Sequence, residues 1–240
     1  MTNDNAFEGI GGAVSKRVLK IFWLVDISGS MIGDKIATVN RAIKAILPEL
    51  QEASGENPEI QMYVRAMKFG SGAQWHTNET KIDDFKWHDL SVSGVTDMGA
   101  ALKMMAQELT PERMGRRAIP PVLILMSDGE ATDDYDGGLA TLLGQKWAQK
   151  SVRIAIAIGS DANVDELAKL CSHPKENPPL VADRAADLIK FIKWASVEVS
   201  KSVSASVINP SDAAPTNIPP PPQPQVTIGG SSQDDDDDVW

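Results

Sequence analysis

Three runs of the chain are almost continuously apolar: "VLKIFWLV" at 18–25, "PVLILMS" at 121–127 and "VRIAIAI" at 152–158. A strand with one face in water alternates apolar and polar residues, so a strand apolar throughout must be covered on both faces. Amphipathic stretches lie between these runs. Ile36, Val39, Ile43, Ile46 and Leu50 keep helical spacing, and Pro48 is expected to end or kink that helix, because it lacks an N–H and crowds the preceding turn. Helices are expected again at 98–109, 139–149, 164–171 and 185–199, the last carrying Leu188, Ile192, Ala195 and Val199 on one stripe. Further strands are expected at 61–69, weakly at 74–76, and at 180–182. Alternation of this kind predicts an α/β fold: a doubly wound, mostly parallel central sheet flanked by helices, with one short antiparallel edge strand.

At 42% hydrophobic over 240 residues, the chain can bury one good core and little more. Periodicity is lost near Ser206, where proline and small polar residues take over and the chain runs to Asp234–Asp238. The reading is a flexible N-terminal segment at 1–16, one domain at 17–205, and a disordered Pro-rich linker with an acidic tail at 206–240. Five of the charges behind the net charge of -10 belong to that tail, so the folded body is mildly acidic and offers no basic face for nucleic acid. A lone cysteine, Cys171, forms no intrachain disulfide and fits a reducing compartment. No apolar run reaches the ~18 residues of a membrane span, and the N-terminus lacks an apolar leader core. A cytoplasmic location is expected, with no membrane contact.

Open α/β sheets bind ligands beyond the carboxyl ends of their strands. Here "DISGSM" at 26–31 follows the first apolar run, "MSDGE" at 126–130 ends another, and "SGVTDMG" at 93–99 precedes a helix. Asp26, Ser28, Ser30, Thr96 and Asp128 can thus meet as two carboxylates and three hydroxyls, an all-oxygen set suited to a small hard cation, Mg²⁺ or Mn²⁺. Alternate positions 26, 28 and 30 can aim at one point while Gly29 lets the loop turn tightly. Mg²⁺ takes about six oxygens, so five leave room for water or a visiting oxygen.

The ordered set Asp-x-Ser-x-Ser, loop Thr, then Asp in "SDGE" resembles the metal-ion-dependent adhesion site of von Willebrand factor A domains, and the resemblance covers nearly the whole core. "VDISGSM", "GVTDMGAAL" and "LILMSDGEATDD" are most similar to compact bacterial members related to the tellurite-resistance protein TerY. That resemblance implies a Rossmann-like fold, a metal site at Asp26, Ser28, Ser30, Thr96 and Asp128, and a cofactor of Mg²⁺, with Mn²⁺ or Ca²⁺ as alternatives. It also implies a non-enzymatic adaptor whose protein partner supplies an Asp or Glu to the ion. TerY-like proteins are encoded near Ser/Thr kinases and phosphatases, so a stress-response or phage-defence setting with such a partner is implied. Asp97 departs from the small residue usual beside the loop threonine, and either adds charge or faces solvent.

Other readings compete. A metal-dependent phosphohydrolase would need an acid/base, for which Asp97, Glu130 and Asp133 are the candidates, and a regulatory kinase substrate would be modified in the serine-rich 196–206 or in the tail. Asp133, Asp134 and Asp136 lack the spacing of a calcium loop and read as a solvated rim. Cys171 beside His173, and His76 and His88, read as structural or surface residues. The tip Asp234–Trp240 reads as a solubilising face or as an acidic docking peptide, for a partner or for the chain's own metal site.

Overall fold

A computed structural model describes residues 16–206 and 218–223. Expectations for 1–15, 207–217 and 224–240, the acidic tip included, lie outside the described residues.

The sheet is built around β1 (Arg17–Asp26), flanked by two parallel neighbours, β2 (Ile60–Gly70) and β5 (Val122–Ser127). Beyond β5 come β6 (Val152–Ile158) and β7 (Leu180–Ala182), also parallel. On the other edge β3 (Gly72–Trp75) pairs antiparallel with β2, giving the order β3-β2-β1-β5-β6-β7. The antiparallel edge strand read from the sequence is therefore present. The two-residue β4 (Thr80–Lys81), also antiparallel to β2, has no sequence signal of its own.

Side-chain alternation along the strands divides the core in two. Leu19, Ile21, Trp23 and Val25 of β1 face one layer, with α1 (Asp34–Glu56) and α7 (Ala185–Lys193) over them. Phe22 and Leu24 face the opposite layer, which holds α2 (Met98–Glu108), α3 (Pro111–Met114), α4 (Tyr135–Leu143), α5 (Lys146–Lys150) and α6 (Val164–Ala168). Covering both faces is why β1, β5 and β6 read as unbroken apolar runs.

Three expectations need correction. Of the two outcomes expected at Pro48, an end to the helix is overturned: α1 continues through it, because Ile43, Ile46, Leu50 and Ala53 bury its face on both sides of the proline and offset one missing backbone bond. The helix expected over 139–149 is two, α4 and α5, with α4 starting earlier, at Tyr135. The helix expected over 185–199 passes through a π-helical turn, Trp194–Glu198, into α8 (Val199–Ser206). That wider turn places Ser196, whose hydroxyl accepts a 3.1 Å hydrogen bond from the buried Trp23 indole.

Part of the Pro-rich stretch also rests on the domain. Ile218 packs against the α1/α7 core, and Lys190 of α7 donates to the carbonyl of Gln223 at 2.6 Å.

Candidate functional site

Asp26 ends β1, and Asp128 follows the last residue of the adjacent β5, so parallel pairing in register (Val25 beside Met126) delivers both carboxylates to one edge of the sheet. Chain order reverses at this point, since β2 lies on one side of β1 and β5 on the other. Backbone hydrogen bonds stitch three loops together there. Ser93 N donates to Ile27 O at 2.6 Å, Gly29 N to Gly94 O at 3.1 Å, and Thr132 N to Thr96 O at 2.9 Å. The approach is close enough to require glycine: a Cβ on Gly70 would lie 2.1 Å from Ser93 O, and Gly94 holds φ +89 with Ser71 N 2.4 Å from where its Cβ would be.

The five predicted side chains converge. Asp26 accepts from Ser28 N at 2.7 Å through one oxygen and from Ser127 Oγ at 2.6 Å through the other. The Ser28 and Ser30 hydroxyls are 3.0 Å apart, and Ser30 Oγ donates to Asp128 Oδ1 at 2.7 Å. Thr96 Oγ1 and Ser30 Oγ lie 3.7 and 3.8 Å from the point a Cβ on Gly129 would occupy, which brings the third loop to the same spot. Asp26, Ser28, Thr96 and Asp128 are buried, whereas Ser30 is exposed. The cluster has a buried floor and one open side. Burial pushes the Asp26 carboxyl above its ordinary value of 3.8, with the hydrogen bonds from Ser127 and Ser28 opposing part of that rise.

Among the described residues, no group of three or more His, Cys, Asp or Glu side chains gathers as an ion cage. The donor set is instead two carboxylates interleaved with hydroxyls, without nitrogen or sulfur. Such a set fits a small hard divalent cation and suits a soft one poorly.

Four participants escaped the sequence reading. Ser127 steadies Asp26 from inside β5, and only its place beside Asp128 hints at that role. Lys35 Nζ donates to Asp128 Oδ2 at 2.7 Å; its signal is a cation in the first turn of a helix, where the dipole disfavours one. Asp133, expected as a solvated rim residue, accepts from Gly99 N and Ala100 N at 2.7 Å each and so caps the start of α2. Thr132 ties the loops by accepting from Thr96 N at 3.1 Å and donating to Asp97 Oδ1 at 3.2 Å.

Asp97, read from the sequence as adding charge or facing solvent, also accepts from Gly72 N at 2.7 Å and clasps two loops together. Asp134 N-caps α4 through Gly137 N at 3.0 Å, and Asp136 pairs with Lys169 at 2.9 Å. Glu130 accepts from Asn163 at 3.1 Å on the surface. Cys171 is buried with its thiol pushed up to about 11 by that burial, and His76 rests edge-on against Trp87 and contacts His88 O at 2.7 Å.

Around the open side the surface turns apolar. Ile32 and Val95, 74% and 49% exposed, are the large hydrophobic side chains left exposed among the described residues, and each stands within two residues of a cluster hydroxyl. From Ile32 an open groove of about 820 Å³ runs along α1 between Ile36, Ala37 and Arg41 on one wall and Leu90 and Val92 on the other.

A doubly wound sheet with this hydroxyl–carboxylate cluster at its switch point defines a class, and comparison with known proteins names it. The von Willebrand factor type A domain profile matches residues 21–193, well over half of the chain, and the protein belongs to that family. No curated protein matches the chain.

Solved structures of the same fold are distant in sequence. An ArnB paralog, VWA2, from Sulfolobus acidocaldarius is 16% identical with a TM-score of 0.55, over 75% of this chain and 45% of its own. Proximal thread matrix protein 1 from the mussel byssus, in a form described as having a zinc-occupied MIDAS motif, is 16% identical with a TM-score of 0.57, over 78% of this chain and 49% of its own. The pilus adhesin SpaC from Lactobacillus rhamnosus GG, in an open conformation, is 15% identical with a TM-score of 0.59, over 78% of this chain and 30% of its own. The chain thus spans less than half the length of these structures. No helix among the described residues is long and apolar enough to cross a membrane.

Proposed function

We propose that this domain is an interaction module that captures a carboxylate of a partner protein through a divalent cation held by Asp26, Ser28, Ser30, Thr96 and Asp128. The observation that carries this reading is the convergence of those five side chains from three separate loops, with Ser30 bonded to Asp128 at 2.7 Å. Mg²⁺ or Mn²⁺ suits the donor set best. The bound ion would supply positive charge at a point where two like-charged carboxylates otherwise repel an acidic partner.

The chain's own residues do the rest. Asp26 is oriented by Ser127 and by the Ser28 amide, and the Ser28 and Ser30 hydroxyls contribute oxygen without adding negative charge. Ile32 and Val95 offer exposed apolar contact within two residues of the cluster hydroxyls, as a protein–protein interface wants at its centre. The mussel protein with a zinc-occupied site supports a metal here, and the pilus adhesin supports a binding role. The motif resemblance to TerY-like proteins supports a cytoplasmic stress-response or phage-defence setting with a Ser/Thr kinase or phosphatase as partner.

Affinity capture tests the reading. Chain immobilised in Mg²⁺ is expected to retain a protein that elutes in EDTA and that Asp26→Ala, folded by circular dichroism, does not retain. Equal retention in EDTA would remove the metal bridge.

A further inference from the structure

Lys35 is the second residue of α1, where a positive charge meets the positive end of the helix dipole. Its side chain is nevertheless drawn inward. It is 12% exposed, and its ammonium lies 2.7 Å from Asp128 Oδ2, on a carboxylate with no exposure at all. Ser30 Oγ occupies the other oxygen of Asp128, so in this arrangement both oxygens of that carboxylate are engaged.

The surroundings are shaped to admit the lysine. Gly159, just past β6, holds φ +93, and a Cβ there would stand 2.8 Å from Asp161 Oδ1, 3.2 Å from Lys35 Nζ and 3.4 Å from its Cε. A larger residue at 159 would crowd the arm as well as strain the backbone. Asp161 offers a second oxygen 3.8 Å from the ammonium, on a side chain 78% exposed. The lysine therefore bridges the buried cluster and the outside.

Charge counting gives the consequence. Within the buried cluster Asp26 and Asp128 bring two negative charges and Lys35 cancels one, while Asp161, 78% exposed, is screened by water and stands outside this count. A divalent cation joining this set leaves it with net positive charge, whereas the same set without the lysine would end neutral. Two cations sharing one carboxylate repel each other, and the repulsion is strongest where water is scarce.

We propose that Lys35 is a resident counter-cation of the site: it compensates Asp128 in the metal-free protein, weakens the hold on an incoming dication, and leaves the loaded site in need of an external carboxylate. The inference rests on the metal-bridge reading and adds to it the residue that keeps the bridge unsatisfied. Lys35 acts through Asp128 and is a positioning residue.

The full-length chain titrated with Mn²⁺ alone, and melted in EDTA and in saturating Mn²⁺, tests this. Lys35→Met is expected to bind Mn²⁺ about tenfold tighter or more, to melt below the wild type in EDTA, and to recover the wild-type melting temperature or exceed it in Mn²⁺. Lys35→Arg, which keeps the charge, is expected to retain the wild-type affinity. A purely structural lysine would instead lower both melting temperatures alike and leave the affinity unchanged, and that result overturns the proposal. If the wild type binds Mn²⁺ and Lys35→Met binds it no tighter, this inference alone fails. If neither binds, the metal reading fails with it; binding by Lys35→Met alone would support the lysine's role.

Discussion

Ser30 Oγ donates a 2.7 Å hydrogen bond to Asp128 Oδ1, joining two residues 98 positions apart in the chain. The bond fixes the loop after β1 against the loop after β5. Ser30→Ala is expected to weaken Mn²⁺ binding at least about tenfold and to cost roughly 1.5–3 kcal/mol, the usual worth of a hydrogen bond to a charged group. Mn²⁺ titration and urea unfolding read the two effects, and undiminished metal affinity would place Ser30 outside the centre.

In the proposed metal site, Asp26 would trade stability for binding. Burial raises its carboxyl above 3.8, so between that value and the raised one the folded chain holds more protons than the unfolded chain. The metal-free protein therefore gains stability from this group as pH falls through the window and loses it as pH rises. Metal affinity runs the other way, because a cation needs the ionised form. Asp26→Asn is expected to melt no lower than the wild type in EDTA and to bind no Mn²⁺. A large drop in its melting temperature would show that the hydrogen bonds of Asp26 outweigh its burial.

Asp133 holds α2 by two backbone amides at 2.7 Å. Asp133→Ala is expected to lower stability by about 1–2 kcal/mol, the range for losing an N-terminal cap and its favourable charge. Urea unfolding measures it, and a change within error would mean that water replaces the carboxylate without cost.

Helices α2 and α4 touch through glycine. A Cβ on Gly138 would lie 2.5 Å from Gly99 O, a backbone atom that cannot swing aside. Gly138→Ala is expected to lose about 1–3 kcal/mol by overpacking, more than a better helix former returns. A stabilised variant would mean that the two helices separate freely.

Burial pushes the Cys171 thiol from 9.0 to about 11. The folded protein is expected to react slowly with iodoacetamide at pH 8 and quickly in denaturant. The protonated thiol favours the folded state, so this contribution is lost as pH rises from about 9 towards 11. Fast alkylation of the native chain would contradict the burial.

What the sequence made legible was what depends on local pattern. Unbroken apolar runs marked β1, β5 and β6, and oxygen-bearing residues after β1, after β5 and before α2 marked the three loops that meet. The course of α1 through Pro48 was hidden, because packing against the sheet and α7 settles it and local propensity does not. β4 was invisible for a similar reason: two residues carry no periodicity, and only pairing with Tyr63 and Val64 makes them a strand. Lys35, Ser127 and Asp133 act across gaps of 33 to 101 residues, and no pattern within a window of sequence reports such partners.

The stitching of distant loops has a bearing on synthesis. A nascent chain that ends before β5 already carries Asp26, Ser28, Ser30 and Thr96, yet it lacks the strand that sets β1's partner edge and the carboxylate that answers Ser30. Recognition through this surface, as proposed above, would thus be deferred until most of the domain has left the ribosome and folded, and a partner gripping it would select finished molecules.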